Sequence, residues 1–143
     1  MVNELLTGIS VKLNQVFGAG YEIYGDSDVA QGLTEPCFFI AVLQPTQKKL
    51  IGLRYIRENP FDIQYFPVTA GDNTELHEMA GNLFEALEYI TLLNNDLVHG
   101  TSMAYEIVDG ILHFKVNYNM IVKLPVVKDD METIDIDANT TTE

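Results

Sequence analysis

Residues Glu35 to Pro67, EPCFFIAVLQPTQKKLIGLRYIRENPFDIQYFP, decide the fold, read together with Tyr105 to Val122, YEIVDGILHFKVNYNMIV. Both stretches alternate apolar with polar positions and are rich in β-branched and aromatic residues, the pattern of strands. Neither gathers groups able to do covalent chemistry. A small domain built of long strands, with no reactive cluster, is expected to bind its own kind or a neighbour. That points to a structural part and away from an enzyme.

Within the first stretch, Cys37 to Leu43 is an uninterrupted apolar run between Pro36 and Pro45, which predicts a central strand covered on both faces. A second strand is expected over 47–57, where Ile51, Leu53 and Tyr55 alternate against Gly52, Arg54 and Ile56. Asn59-Pro60 reads as a turn. Phe61, Ile63 and Tyr65 then alternate with Asp62 and Gln64 as a third strand, stopped by Pro67.

In the second stretch, Met103, Tyr105 and Ile107 alternate with Ala104, Glu106 and Val108. Asp109-Gly110 follows, a strong type I′ hairpin signal. The return strand alternates from Leu112 to Val122, about a dozen residues or roughly 40 Å of extended chain. Ordinary strands are about half as long. Such a strand either projects beyond the domain or bends, with a bulge expected near Ile121.

Two helices flank these strands. Leu5, Leu6, Ile9, Leu13, Val16 and Phe17 recur at helical spacing, predicting a helix over 3–17 that ends at Gly18-Ala19-Gly20. Tyr21 to Tyr24 reads as a short strand, and 25–34 as a polar loop. Leu76, Met79, Ala80, Leu83, Leu87 and Ile90 form one stripe and predict a helix over 74–90. Asp72 and Glu75 resemble a capping box at its start.

At 143 residues and 47% hydrophobic, the chain suits one compact domain. Its formal charge of −13, from 21 acidic against 8 basic residues, argues against a conventional nucleic-acid reader, which neutralises phosphates with Lys and Arg. It disfavours an anionic membrane surface as well. No apolar run approaches the length of a membrane span. The opening MVNELLTGIS lacks the regions of a signal peptide, so a cytosolic protein is expected. Cys37 is the one cysteine, so intrachain disulfides and cysteine-based zinc sites are excluded, and a buried structural thiol is expected. After Pro125, VVKDDMETIDIDANTTTE is acidic and Thr-rich and reads as a mobile tail or a segment that orders on a partner. The domain is therefore placed at 1–124 and the acidic tail at 125–143.

Searches for chemistry end in bland readings. His77, His99 and His113 are dispersed and lack metal-ligand spacing. Glu75, Glu78, Glu85 and Glu88 fall opposite the apolar stripe of the second helix and read as its solvated face. Asp26-Ser27-Asp28 begins like a calcium loop, but Gln31 and Cys37 stand where glycine and glutamate are required. Gly18-Ala19-Gly20 follows a helix, the wrong context for a dinucleotide loop. No catalytic, cofactor-binding or metal-ligating residue is assigned, and no cofactor is expected.

The scarce cations are more informative. Lys48, Lys49, Arg54 and Arg57 are half of all Lys and Arg and fall within ten residues. This strip is a candidate subunit or partner interface; its bland alternative is a charged edge strand that discourages stray pairing.

GLTEPCFFI, QKKLIGLRYIRENPFDIQYFP, the helix LFEALEYI and the hairpin YEIVDGILHFKVNYN resemble the small tail-terminator-like proteins of bacteriophages and prophages of Gram-positive bacteria. The resemblance covers about residues 3–124. It implies an α+β fold, a mixed and mainly antiparallel sheet with the two main helices packed against it and a long C-terminal hairpin. It also implies a structural virion protein that forms a ring, commonly a hexamer, on the head-proximal end of a tail tube. Such a ring ends tube growth and offers a surface to the head–tail connector protein. Its implied partners are further copies of itself, the tail tube protein and the connector. DNA would only pass through the lumen, with no specific binding and no membrane contact. Assembly would take place in the host cytoplasm.

Rival readings keep the virion setting but change the part, to another connector, a tail-completion protein or a tube protein. A cytosolic ligand-binding module would instead use Phe38, Phe39, Tyr55, Tyr65, Phe66 and Tyr118 to line a pocket.

Overall fold

A computed structural model of the chain describes residues 1–18, 20–25, 34–68 and 73–125. The acidic tail beyond Pro125, most of the 25–34 loop and Asp72 of the expected capping box lie outside the described residues. The fold is α+β, as the resemblance implies, with two helices and seven strands among the described residues. α1 spans Val2–Phe17 and α2 Asn73–Ala86; β1 is Glu22–Tyr24, β2 Cys37–Val42, β3 Thr46–Lys49, β4 Arg54–Phe66, β5 Tyr89–Thr91, β6 Leu97–Val108 and β7 Ile111–Lys123. The strands form one sheet in the order β1-β2-β4-β7-β6-β5, with β3 paired to β4. Among the described residues only β1 and β2 pair in parallel.

Both helices lie on one face of this sheet. Leu5, Ile9 and Leu13 of α1 and Leu76, Met79, Ala80 and Leu83 of α2 close over Phe38 and Ile40 of β2, Phe61, Ile63 and Tyr65 of β4, and Leu112, Phe114, Val116 and Tyr118 of β7. Each strand contributes alternate residues, because successive side chains point to opposite faces. The other face, free of helices, takes the remaining positions.

α1 ends as read from the sequence, with the Gly18 N–H bonded to the Asn14 carbonyl at 2.9 Å. The last hairpin also matches: Asp109 (φ 53°) and Gly110 (φ 77°) both occupy the left-handed region that a type I′ turn requires.

Several expectations are corrected. Residues 47–57 are not one strand. β3 ends at Lys49, the chain reverses over 50–53, and Leu50 N–H bonds Arg54 C=O at 2.9 Å. Asn59-Pro60 is not a turn either, for β4 runs through it for 13 residues. Pro60 survives there because its missing N–H would point into the gap where β2 stops and β3 begins. Val42 pairs with Phe61 and Thr46 with Glu58, so one extra residue bulges across Asn59-Pro60, and Leu43 N–H bonds the Pro60 carbonyl at 3.0 Å. β2 is therefore flanked on both sides only where β1 pairs with Cys37 to Phe39, and it is an edge strand beyond.

The second helix stops at Ala86, short of 90, and Tyr89–Thr91 pair with Leu97–His99. Ile90 is buried as the stripe predicts, but from a strand. Backbone bonding carries the change: Leu87 N–H closes the last helical turn on Leu83, while Glu88 C=O accepts from Gly100 N–H.

No bulge interrupts β7 near Ile121. β7 pairs with β4 without interruption from Leu112 to Lys123. β6 carries the extra residue between Thr101 and Ala104, at Ser102 with φ 53°.

Candidate assembly surface

β4, β7 and the β2–β3 course run side by side past the end of the helical layer. The pairing of β6 with β7 starts at Gly100 and Tyr118, so Asn119 to Lys123 pair with β4 alone. The result is a three-stranded extension of β3, the first half of β4 and the last part of β7. Its outer edges are β3 on one side and Asn119–Lys123 on the other.

All four basic residues named from the sequence lie on this extension, but they do not form one strip. Lys48 pairs in register with Ile56, Lys49 with Tyr55, and Arg54 with Lys123. Strand alternation therefore sends Lys48 and Arg54 to the helix-free face and Lys49 and Arg57 to the helix side. Lys48 Nζ lies 4.0 Å from Glu58 Oε1 with both groups solvated, a pairing of little energetic weight. Arg57 Nε donates to Gln47 Oε1 at 2.6 Å, and its Nη1 lies 3.8 Å from Met1 Sδ.

Exposed apolar groups crown the same extension. Ile51 (78% exposed), Leu50 and Leu53 form its turn, and Ile121 (68%) stands beside them on the helix-free face. Large exposed aliphatics gathered on one projection make it a candidate contact surface.

Beside the open edge of β7 lies a groove of about 460 Å³ lined by Asp96 to His99, Thr101 and Asn119 to Ile121. It forms where β6 leaves β7. The Asn119 Oδ1 is buried with no donor among the described residues, and so are Asn117 Oδ1 and Asp62 Oδ1. On the same face His113 Nδ1 hydrogen-bonds Asp62 Oδ2 at 3.0 Å and Gln64 Nε2 donates to that oxygen at 3.2 Å. Sequence reasoning missed the groove and the open edge, since both depend on where β6 parts from β7; the length of the return strand was their one legible sign.

Other expected positions resolve into structure. Glu75 is not simply solvated: its Oε2 accepts from Tyr65 Oη at 2.7 Å, tying α2 to β4. Burial, reinforced by that carboxylate, raises the Tyr65 phenol far above its usual range. Glu78, Glu85 and Glu88 are exposed. His77 Nδ1 meets Tyr105 Oη at 2.8 Å, and His99 lies 3.6 Å from Glu88. Among the described residues no three His, Cys, Asp or Glu side chains converge as a metal site. Cys37 is buried, and desolvation, with Glu35 and Glu22 adding, pushes its thiol up to about 11.

The six aromatics considered for a pocket do not share one. Phe38, Tyr65 and Tyr118 are buried in the core, whereas Phe39 and Phe66 occupy the opposite face of β2 and β4.

These features define a small α+β protein whose distinguishing surface is an open, charged and apolar-tipped sheet extension, a part made for assembly. A family profile described as phage tail terminator protein matches residues 4–133, and the chain belongs to that family. The match reaches past Leu124 into the acidic segment. No curated protein matches the chain. Membership makes it a structural component of a phage tail, located in the virion tail and interacting with other tail or head components.

Proposed function

We propose that the chain caps the head-proximal end of a tail tube as a closed ring, ends tube growth and presents the surface to which the head–tail connector joins. The observation that carries this reading is the sheet extension with an edge on each side that is unpaired among the described residues. Two complementary edges on one subunit make head-to-tail contacts, and such contacts either close into a ring or run on as a filament. Closure is itself the mechanism here: a ring with no free edge leaves the tube protein nothing to extend.

Lys48, Lys49, Arg54 and Arg57 serve as subunit or partner contacts, and the exposed Leu50-Ile51-Gly52-Leu53 turn supplies apolar area beside them. The overall charge of −13 lets DNA pass through the lumen without being gripped. Copies of the chain, the tube protein and the connector are the partners, meeting in the host cytoplasm during assembly.

The test is growth of tail tubes from the cognate tube protein with the chain added at increasing ratio. Tubes that shorten and carry a ring at one end support the reading. Unchanged tube lengths at saturating chain exclude termination, and incorporation along the tube wall makes the chain a tube subunit.

A further inference from the structure

We infer that β3 of one copy adds in parallel to the open Asn119–Lys123 edge of the next, with Lys48 reaching the groove beside Asp96; this rests on the ring reading above. Backbone direction makes the two edges complementary. Leu50 N–H bonds Arg54, so on β3 the alternate residues Gln47 and Lys49 turn their N–H and C=O groups away from β4. Leu124 N–H bonds Leu53, and Tyr118 C=O accepts from Asn59 on β4. On β7, then, Asn119, Ile121 and Lys123 turn theirs to the open side. Each edge is a row of backbone groups seeking a strand.

The lengths agree, four residues of β3 against five of β7. So does polarity. β3 and β7 are each antiparallel to β4 and hence parallel to one another. Copies related by rotation about an axis along the strands keep that direction, so a parallel junction forms without inverting a subunit.

Charge selects the occupant as a second copy. The groove bordering the β7 edge is lined by Asn119 and by exposed Asp96, whose carboxylate accepts from Asn94 Nδ2 at 3.0 Å. β3 supplies Lys48, whose side chain is 69% exposed and shares the helix-free face with Asn119. Lys123 at the far end of the slot repels Lys48, which favours the register that sets Lys48 beside Asn119 or Ile121. The edge gives the affinity and the lysine fixes the register.

Ile121→Pro tests the junction, because it deletes an N–H that faces away from β4 and keeps the ladder inside the subunit. Ile121→Lys, at a position 68% exposed, sets a second cation beside Lys48 and guards against misfolding in the proline variant. Rings, free or seated on tail tubes, are counted by negative stain, with circular dichroism as the folding control. The expectation is loss of rings in Ile121→Pro, Ile121→Lys and Lys48→Glu, and their return in the chain carrying both Lys48→Glu and Asp96→Lys. Rings that persist in both Ile121 variants overturn this junction and leave the cap reading standing. A wild-type chain that forms no ring even on tail tubes removes the cap reading, and the junction with it.

Discussion

Tyr118 Oη donates to the backbone carbonyl of Leu87 at 2.7 Å inside the core, joining β7 to the chain just after α2. The ring of Tyr118 is fully buried, and burial raises its phenol well above the ordinary range. Tyr118→Phe keeps the packing and removes the donor from a carbonyl that water cannot reach. The expected cost is about 1–3 kcal/mol. It is read as a lower urea midpoint with an unchanged slope.

Gly100 faces the same carbonyl from β6. A Cβ there would stand 2.7 Å from Leu87 O and 2.9 Å from Val116 Cγ2, and the first of these is backbone that cannot rotate away. Gly100→Ala is expected to cost on the order of 1–3 kcal/mol by overpacking. Gly81 in α2 has open space around its Cβ position, so Gly81→Ala is expected to stabilise by up to about 1 kcal/mol. Opposite shifts of the two thermal midpoints check the pair.

Alkaline pH should loosen the fold through Cys37. Its thiol ionises near 9 when unfolded and at about 11 when folded. That contribution is complete below pH 9 and is lost as pH rises towards 11, where the unfolded chain gains the thiolate and the folded one resists it. Wild type should lose about 1–3 kcal/mol more than Cys37→Ala across this window. Denaturation midpoints of both chains, taken at half-unit steps from pH 8, read the difference.

Arg54→Glu with Arg57→Glu reverses one charge on each side of the extension. Neither residue is in the buried core, so the monomer should keep its circular dichroism while ring assembly is lost. Assembly at the wild-type level would remove Arg54 and Arg57 from the interface.

Much of the fold was legible because it rests on local periodicity. α1, the Asp109-Gly110 turn and the alternating core of β7 follow from spacing alone. Asn59-Pro60 misled because a proline inside a strand is tolerated only where the neighbouring strands change over, a tertiary condition invisible along the chain. Ile90 misled differently: it continues a helical stripe, yet Tyr89-Ile90-Thr91 buries it from a strand once Leu97–His99 supply a partner. The basic residues were found by proximity in sequence. Their division between two faces was not, since it depends on the reversal at 50–53.

The central claim is closure, and particle shape over a concentration series tests it most directly. Light scattering of the purified chain, with negative-stain images in the presence and absence of tail tubes, gives both mass and form. The account predicts discrete closed rings of one size that do not lengthen as protein is added and that sit at one end of each tube. Open tubes of the chain itself, or a monomer at every concentration that leaves tube ends bare, would contradict it.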